Sequence, residues 1–169
     1  CSGAKFVIAM IAYGALVEPL AVAVHAVRRA GVTPEHRVLV VGGGPIGQSV
    51  VLALQMIGVA TIVVSEVSAV RRELITRLGA TAVDAGAEAA ETAIVEALGG
   101  PADVAIDAVG IDLTLATCLA TTALGAVICL VGMGSRRIGL DAYAMSTGER
   151  SLVGSFTYAA RDFADAAAW

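Results

Sequence analysis

The sequence predicts an α/β fold, a doubly wound parallel sheet with helices on both faces, and three observations predict it. Short apolar segments rich in Val, Ile and Ala recur along the chain without polar alternation: Arg37–Val41, Thr61–Val64, Val104–Asp107 and Ala126–Val131. Parallel strands covered on both faces read this way. Helix-compatible segments fall between them at βαβ spacing. The first segment also runs straight into Gly42-Gly43-Gly44-Pro45-Ile46-Gly47, a tight glycine turn between a strand and a helix. The order expected for such a sheet is 3-2-1-4-5-6.

Element by element, Leu16 to Ala30 reads as a helix, with Pro19 suited to its first turn and Arg28-Arg29 favourable at its C-terminal end before Gly31. Thr33-Pro34 is a turn. The strand Arg37–Val41 leads through the glycines to a helix over Ile46–Ile57, and Thr61–Val64 follows as a strand closed by Glu66. Ser68 is the expected N-cap of a helix to Leu78, ended by Gly79. Ala82–Asp84 is a short third strand, and Glu88–Leu98 a polar-faced helix. Val104–Asp107 is the fourth strand, Asp112 caps a helix to about Ala123, and Ala126–Val131 is the fifth. Ile138–Leu140 is expected to be short and extended, Leu152–Phe156 to be the last strand, and a helix to begin near Arg161 or Asp162. Residues 1–13 match no pattern and are left unassigned, or as an appended segment; 14–169 form one domain.

The glycine turn and the acid about twenty positions beyond it carry the functional signal. A buried strand feeds the turn, and the turn opens a helix whose free N–H groups can face a pyrophosphate. Gly42 allows the sharp turn, Gly44 keeps side-chain bulk away from the pyrophosphate, and Gly47 lets the helix lie close to the sheet. Glu66 stands where a carboxylate accepts from both adenosine ribose hydroxyls. This is the dinucleotide-binding layout of a Rossmann fold. A carboxylate there favours NAD over NADP, while Arg71 and Arg72 are counter-evidence because paired guanidiniums can hold a 2′-phosphate.

Bulk properties exclude other classes. At 169 residues the chain can bury a sizeable single core. A net charge of −4 provides no basic stripe for nucleic acid. Hydrophobic residues make up 57% of the chain and mean hydropathy is +0.83. No charge falls between Arg37 and Glu66 or between Asp112 and Arg136, stretches longer than the ~18 residues that raise a membrane flag. Glycines interrupt both, so strand–turn–helix–strand is the better reading and no membrane span is expected. Lys5 with Phe6–Val17 superficially resembles a leader, but Glu18-Pro19 follows without a small-residue cleavage site. Cys1, Cys118 and Cys129 lack metal-type spacing; the last two read as buried reduced thiols of a cytoplasmic protein.

Further residues make the pattern more specific. Glu18-Pro19-Leu20 with His25 and Arg28-Arg29, Gly42 to Gly47, and Glu66-Val67-Ser68 with Arg71-Arg72 occur in this order. They are followed by Asp107-Ala108-Val109-Gly110, Val131-Gly132-Met133-Gly134, and Gly154-Ser155-Phe156 with Tyr158. With them the chain resembles the cofactor domain of zinc-type medium-chain alcohol dehydrogenases, the sorbitol and butanediol dehydrogenase branch. The resemblance implies that Pro45 and Ile46 flank the pyrophosphate and nicotinamide, and that Glu66 and Arg71 hold the adenosine ribose. It implies that Val109, the loop Val131, Gly132, Met133, Gly134, and Ser155, Phe156 and Thr157 line the nicotinamide half, largely through backbone. Glu18 lies near the catalytic zinc in this family and in some members ligates it; read from sequence alone, it is a helix cap. His25 reads as a packed or hydrogen-bonded histidine rather than a ligand, and His36 as an exposed turn residue.

Departures from the family matter too. The zinc-holding Cys, His and Glu set and the structural-zinc cysteine cluster are missing from this sequence. Thr157 stands where polyol dehydrogenases often have Arg, which puts a polyol substrate in doubt. The implied function is the NAD-binding domain of a zinc-dependent dehydrogenase that moves hydride between a secondary alcohol and NAD. Its catalytic domain and zinc ligands would lie outside this chain, which alone is expected to be inactive. Asp103 and Asp107 read as capping or solvated carboxylates rather than a catalytic pair. A non-catalytic NAD-sensing regulatory module is the alternative, and a methyltransferase a third class that the Val131–Gly134 loop argues against. Leu152–Phe156 could pair copies of the chain, with buried core the default reading.

Overall fold

The computed structural model describes residues 2–169, with side chains from Gly14 onward. Cys1 and the side chains of the unassigned segment 1–13 lie outside the described residues. Six strands form one sheet, β1 (Arg37–Val41), β2 (Thr61–Glu66), β3 (Thr81–Asp84), β4 (Ala102–Asp107), β5 (Thr122–Leu130) and β6 (Ser151–Gly154), in the order β3-β2-β1-β4-β5-β6. Every pairing is parallel. The doubly wound sheet and its order are as the sequence predicts.

Alternation along the strands divides the core. Val38 and Val40 of β1 face the layer containing α1 (Ser2–Arg29), α2 (Pro45–Met56), α3 (Ala69–Arg77) and the end of α7 (Ala160–Ala168). Leu39 and Val41 face α4 (Ala90–Leu98) and α5 (Asp112–Thr121). Both faces of β1 are therefore buried, which is why it reads as unbroken apolar sequence. Cys118 and Cys129 are buried and unpaired; burial pushes the Cys118 thiol far up and that of Cys129 to about 11.

Several local expectations are corrected. The helix predicted from Leu16 runs from Ser2, so Pro19 lies inside it and Glu18 is an exposed interior residue rather than a cap. Asp112 is the first residue of α5, not its N-cap. The Ile111 N–H is met by Thr114 Oγ1 at 3.0 Å, and the Asp112 carboxylate accepts from Gly139 N–H at 2.6 Å. That bond ties the Ile138–Leu140 segment, which lies outside helix and strand, to α5. β5 begins early, at Thr122, whose carbonyl and hydroxyl both accept from Arg150. Arg150 follows a short unpredicted helix, α6 (Ala142–Thr147), and also donates to Ala144 C=O. The last strand ends at Gly154. It is the sheet edge, with Leu152 38% and Phe156 71% exposed, so only Val153 and Ser155 of Leu152–Phe156 turn inward.

Candidate nucleotide-binding site

Strand order reverses at β1, whose neighbours β2 and β4 are each followed by a helix on opposite faces. A crevice opens outside the carboxyl ends of strands at such a switch point. Here it is a cleft of about 580 Å³ whose lining includes Gly42, Glu66, Arg71 and Val109. The structure thus brings together four of the predicted residues, from the carboxyl-end regions of three strands, β1, β2 and β4.

The glycines divide by what surrounds them. Gly42 has φ +97°, and a Cβ there would lie 2.5 Å from Val109 Cγ2. A Cβ on Gly47 would meet the Gly42 carbonyl oxygen at 1.8 Å, so the missing side chain lets α2 close on its own turn as well as on the sheet. Gly44 differs. Its φ of −70° is open to any residue and no atom lies within 4 Å of the Cβ position. No contact within the fold requires glycine there. Gly44 is the N-cap of α2, with Pro45 at the first position and no side chain capping the helix. The N–H groups of that first turn, Ile46 and Gly47 among them, therefore have the orientation and partial positive charge that suit an anion.

Glu66 ends β2 with only 4% of its surface exposed. Its Oε2 accepts from Gly43 N–H at 2.7 Å and its Oε1 from Ser68 N–H at 2.8 Å. Arg71 Nη1 lies 3.7 Å from Oε2, on a side chain 53% exposed at the cleft. Arg72 is committed elsewhere: it donates to the carbonyls of Glu66 and Val67 and pairs with Asp84 at 2.8 Å. The two guanidiniums therefore do not converge.

At the other side of the switch point Asp107, fully buried, organises the loop after β4. Its Oδ1 accepts from Val109 and Gly110 N–H at 2.9 Å each, its Oδ2 from Thr114 Oγ1 at 2.8 Å. Its carbonyl accepts from Val131 and Gly132 N–H, which joins this loop to the one after β5. Gly134 N–H donates to Val109 C=O, and a Cβ on Gly132 would fall 2.1 Å from the Val109 carbonyl carbon. Gly132 thus has a packing role whether or not a ligand binds. Met133 projects with 77% exposure. The loop after β6 adjoins through Ser155 N–H to Leu130 C=O. There Ser155 Oγ is buried without a partner among the described residues, and Thr157 holds φ +54°, unusual for a β-branched residue.

Asp107 has the capping role expected, though buried rather than solvated. Asp103 accepts from the Arg37 side chain and N–H, and that guanidinium holds its carboxyl below the usual range. His25 is hydrogen-bonded through Nδ1 to Asp162 at 2.8 Å, as the packed reading expects. The sequence reading missed the apolar cleft lining of Val67, Ile111 and Leu113, and missed Asp107 as a hub. A signal for the hub was present: an Asp at a strand end, just before a turn that closes with Gly110.

Comparison with known proteins decides the family: the zinc-binding dehydrogenase family matches residues 45–169. The chain belongs to it. Sorbitol dehydrogenase of Arabidopsis thaliana is 39% identical over 153 residues, 86% of this chain and 42% of that protein. The crystal structure of L-idonate 5-dehydrogenase from Escherichia coli is 34% identical with a TM-score of 0.84, covering 93% of this chain and 45% of the other. A Sinorhizobium meliloti protein solved bound to NADP is 27% identical with a TM-score of 0.82, over 92% of this chain and 47% of its own. The chain spans less than half the length of these relatives. Among the described residues no group of three or more His, Cys, Asp and Glu could hold a metal ion, so the residues present do not fit the zinc of the zinc-binding dehydrogenases. Nor, among them, is any helix long and apolar enough to cross a membrane.

Proposed function

We propose that this chain is the NAD-binding part of a zinc-type dehydrogenase acting on a secondary alcohol or polyol. The observation that carries the reading is Gly44, whose Cβ position is open space, at a helix N-terminus with no side-chain cap and two residues on from Gly42 of the switch-point cleft. The first turn of α2 receives the pyrophosphate, with Pro45 and Ile46 beside it. Glu66 has lone pairs left after two hydrogen bonds and accepts from the adenosine ribose, with Arg71 beside it. Val67, Ile111 and Leu113 supply apolar cover for the base. Val109, Val131–Gly134 and Ser155–Thr157 line the nicotinamide half. When bound, the nicotinamide supplies a hydride acceptor; this chain binds and orients it and contributes no acid–base group. Zinc ligands belong to another part of the protein, and Glu18 on exposed helix surface is at most one donor.

NAD is preferred over NADP. The buried Glu66 carboxylate disfavours a second negative charge, and the Arg72 guanidinium that could have offset it is engaged with two carbonyls and Asp84. The NADP-bound relative makes this worth testing directly. Calorimetric titration with each nucleotide is expected to give tighter NAD binding; tighter NADP binding would overturn the assignment. The dehydrogenase relatives give no support to a purely regulatory NAD sensor. Reduced buried thiols are consistent with a cytoplasmic setting.

A further inference from the structure

The middle residue of the glycine turn is held from two sides. Gly43 N–H donates to Glu66 Oε2 at 2.7 Å, and Gly43 C=O accepts from Gln48 Nε2 at 2.8 Å. Gln48 reaches back from the first turn of α2; Glu66 comes across from the end of β2. The contact with Glu66 is close, since a Cβ on Gly43 would lie 3.1 Å from Glu66 Cγ. The second oxygen of Glu66 accepts from Ser68 N–H, so one carboxylate joins the glycine turn to the start of α3.

We propose that Glu66 and Gln48 together clamp the Gly43 peptide and are positioning residues for dinucleotide binding, whichever nucleotide binds. The proposal deepens the cofactor reading above and rests on it. Three consecutive glycines have large backbone freedom, and a turn that must be ordered on binding loses affinity to that ordering. Gly42 N–H is already fixed to Ser65 C=O at 2.8 Å. With both polar groups of Gly43 fixed by side chains, the turn that presents Gly44 and the α2 N-terminus is set before any ligand arrives. Two N–H donors require an acceptor on each oxygen, which a carboxylate has and an amide lacks.

This differs from a carboxylate that only reads the 2′ position. A pure reader replaced by Gln would lose its repulsion of a 2′-phosphate and gain NADP affinity. A clamp replaced by Gln opposes an NH₂ to a backbone N–H and loosens the turn for both nucleotides. The test uses the wild-type chain, Glu66→Gln and Gln48→Met, with calorimetric titration of NAD and NADP and amide exchange of the ligand-free proteins by NMR. Gln48→Met is expected to weaken both nucleotides by the same factor, about three- to ten-fold for one lost hydrogen bond. Glu66→Gln is expected to weaken NAD about ten-fold or more and to give no gain for NADP. In both variants Gly43 exchange rises while Val38–Val41 exchange is unchanged, which a general loss of stability would not produce. A gain in NADP affinity with Gly43 exchange unmoved in Glu66→Gln overturns the clamp. So does a Gln48→Met protein indistinguishable from wild type. A wild-type chain that binds neither nucleotide, yet protects Gly43, overturns the cofactor reading itself and with it the role given to the clamp.

Discussion

Gly44 and Gly47 lie three positions apart in the same turn, yet their side-chain hydrogens are needed for opposite reasons. A Cβ at Gly47 runs into the Gly42 carbonyl at 1.8 Å, and that oxygen is backbone that cannot swing aside. Gly47→Ala is therefore expected to lower stability by about 1–3 kcal/mol, read as a drop in melting temperature. Gly44 precedes a proline in extended conformation, φ −70° and ψ −174°, which is what a residue before proline prefers and what valine accepts. Gly44→Val is expected to melt within a few degrees of wild type, with a cost of about 1 kcal/mol or less because valine is a poorer N-cap than glycine, yet to lose the nucleotide. An unchanged melting temperature for Gly47→Ala, or a collapsed one for Gly44→Val, would contradict these assignments. Both glycines are visible in the sequence; which one answers to the fold and which to the ligand is not, because that depends on what surrounds each Cβ.

At the scale of elements, the two ends of the domain are tied by charge. Asp162 on α7 has no exposed side-chain surface and accepts from Ala159 N–H, from His25 and from Arg28 of α1. Arg28 also pairs with Asp165 one turn on. Burial works to raise the Asp162 carboxyl, but Ala159 N–H, Arg28 and His25 outweigh it and hold the group below its ordinary value. A depressed native value means this contribution is present above the ordinary carboxylate range, about pH 4, and is lost as pH falls through the native value. Amide exchange over α7 is expected to accelerate on acidification before the β1 amides do. Asp162→Asn should show fast α7 exchange already at neutral pH. An α7 that stays protected in that variant would show that the apolar contacts of Ala166 suffice. None of this was legible in the sequence: His25 and Asp162 are separated by 137 positions, and periodicity reports only an element's own face. The strands were legible because two buried faces leave one unbroken apolar signal; the tie of Gly139 N–H to Asp112 of α5 was not, because it joins positions 27 apart.

For the whole molecule, the site divides between what spacing reveals and what packing assembles. The turn, Glu66 and the loops after β4, β5 and β6 follow from strand ends and residue order. The cleft lining of Val67, Ile111 and Leu113 comes from two segments, after β2 and after β4, with no common motif. The chain is expected to form no NADH from secondary alcohols or polyols, with or without added zinc, because its described residues assemble no metal-holding group. Zinc-dependent turnover by this chain alone would show that the division of labour proposed here is wrong. The central claim, that the turn at Gly44 seats a dinucleotide, is tested most directly by calorimetric titration of NADH into wild-type and Gly44→Val chains with matched melting curves. The account predicts saturable binding to wild type and none to the folded variant. Equal binding to both, or none to wild type, would contradict it.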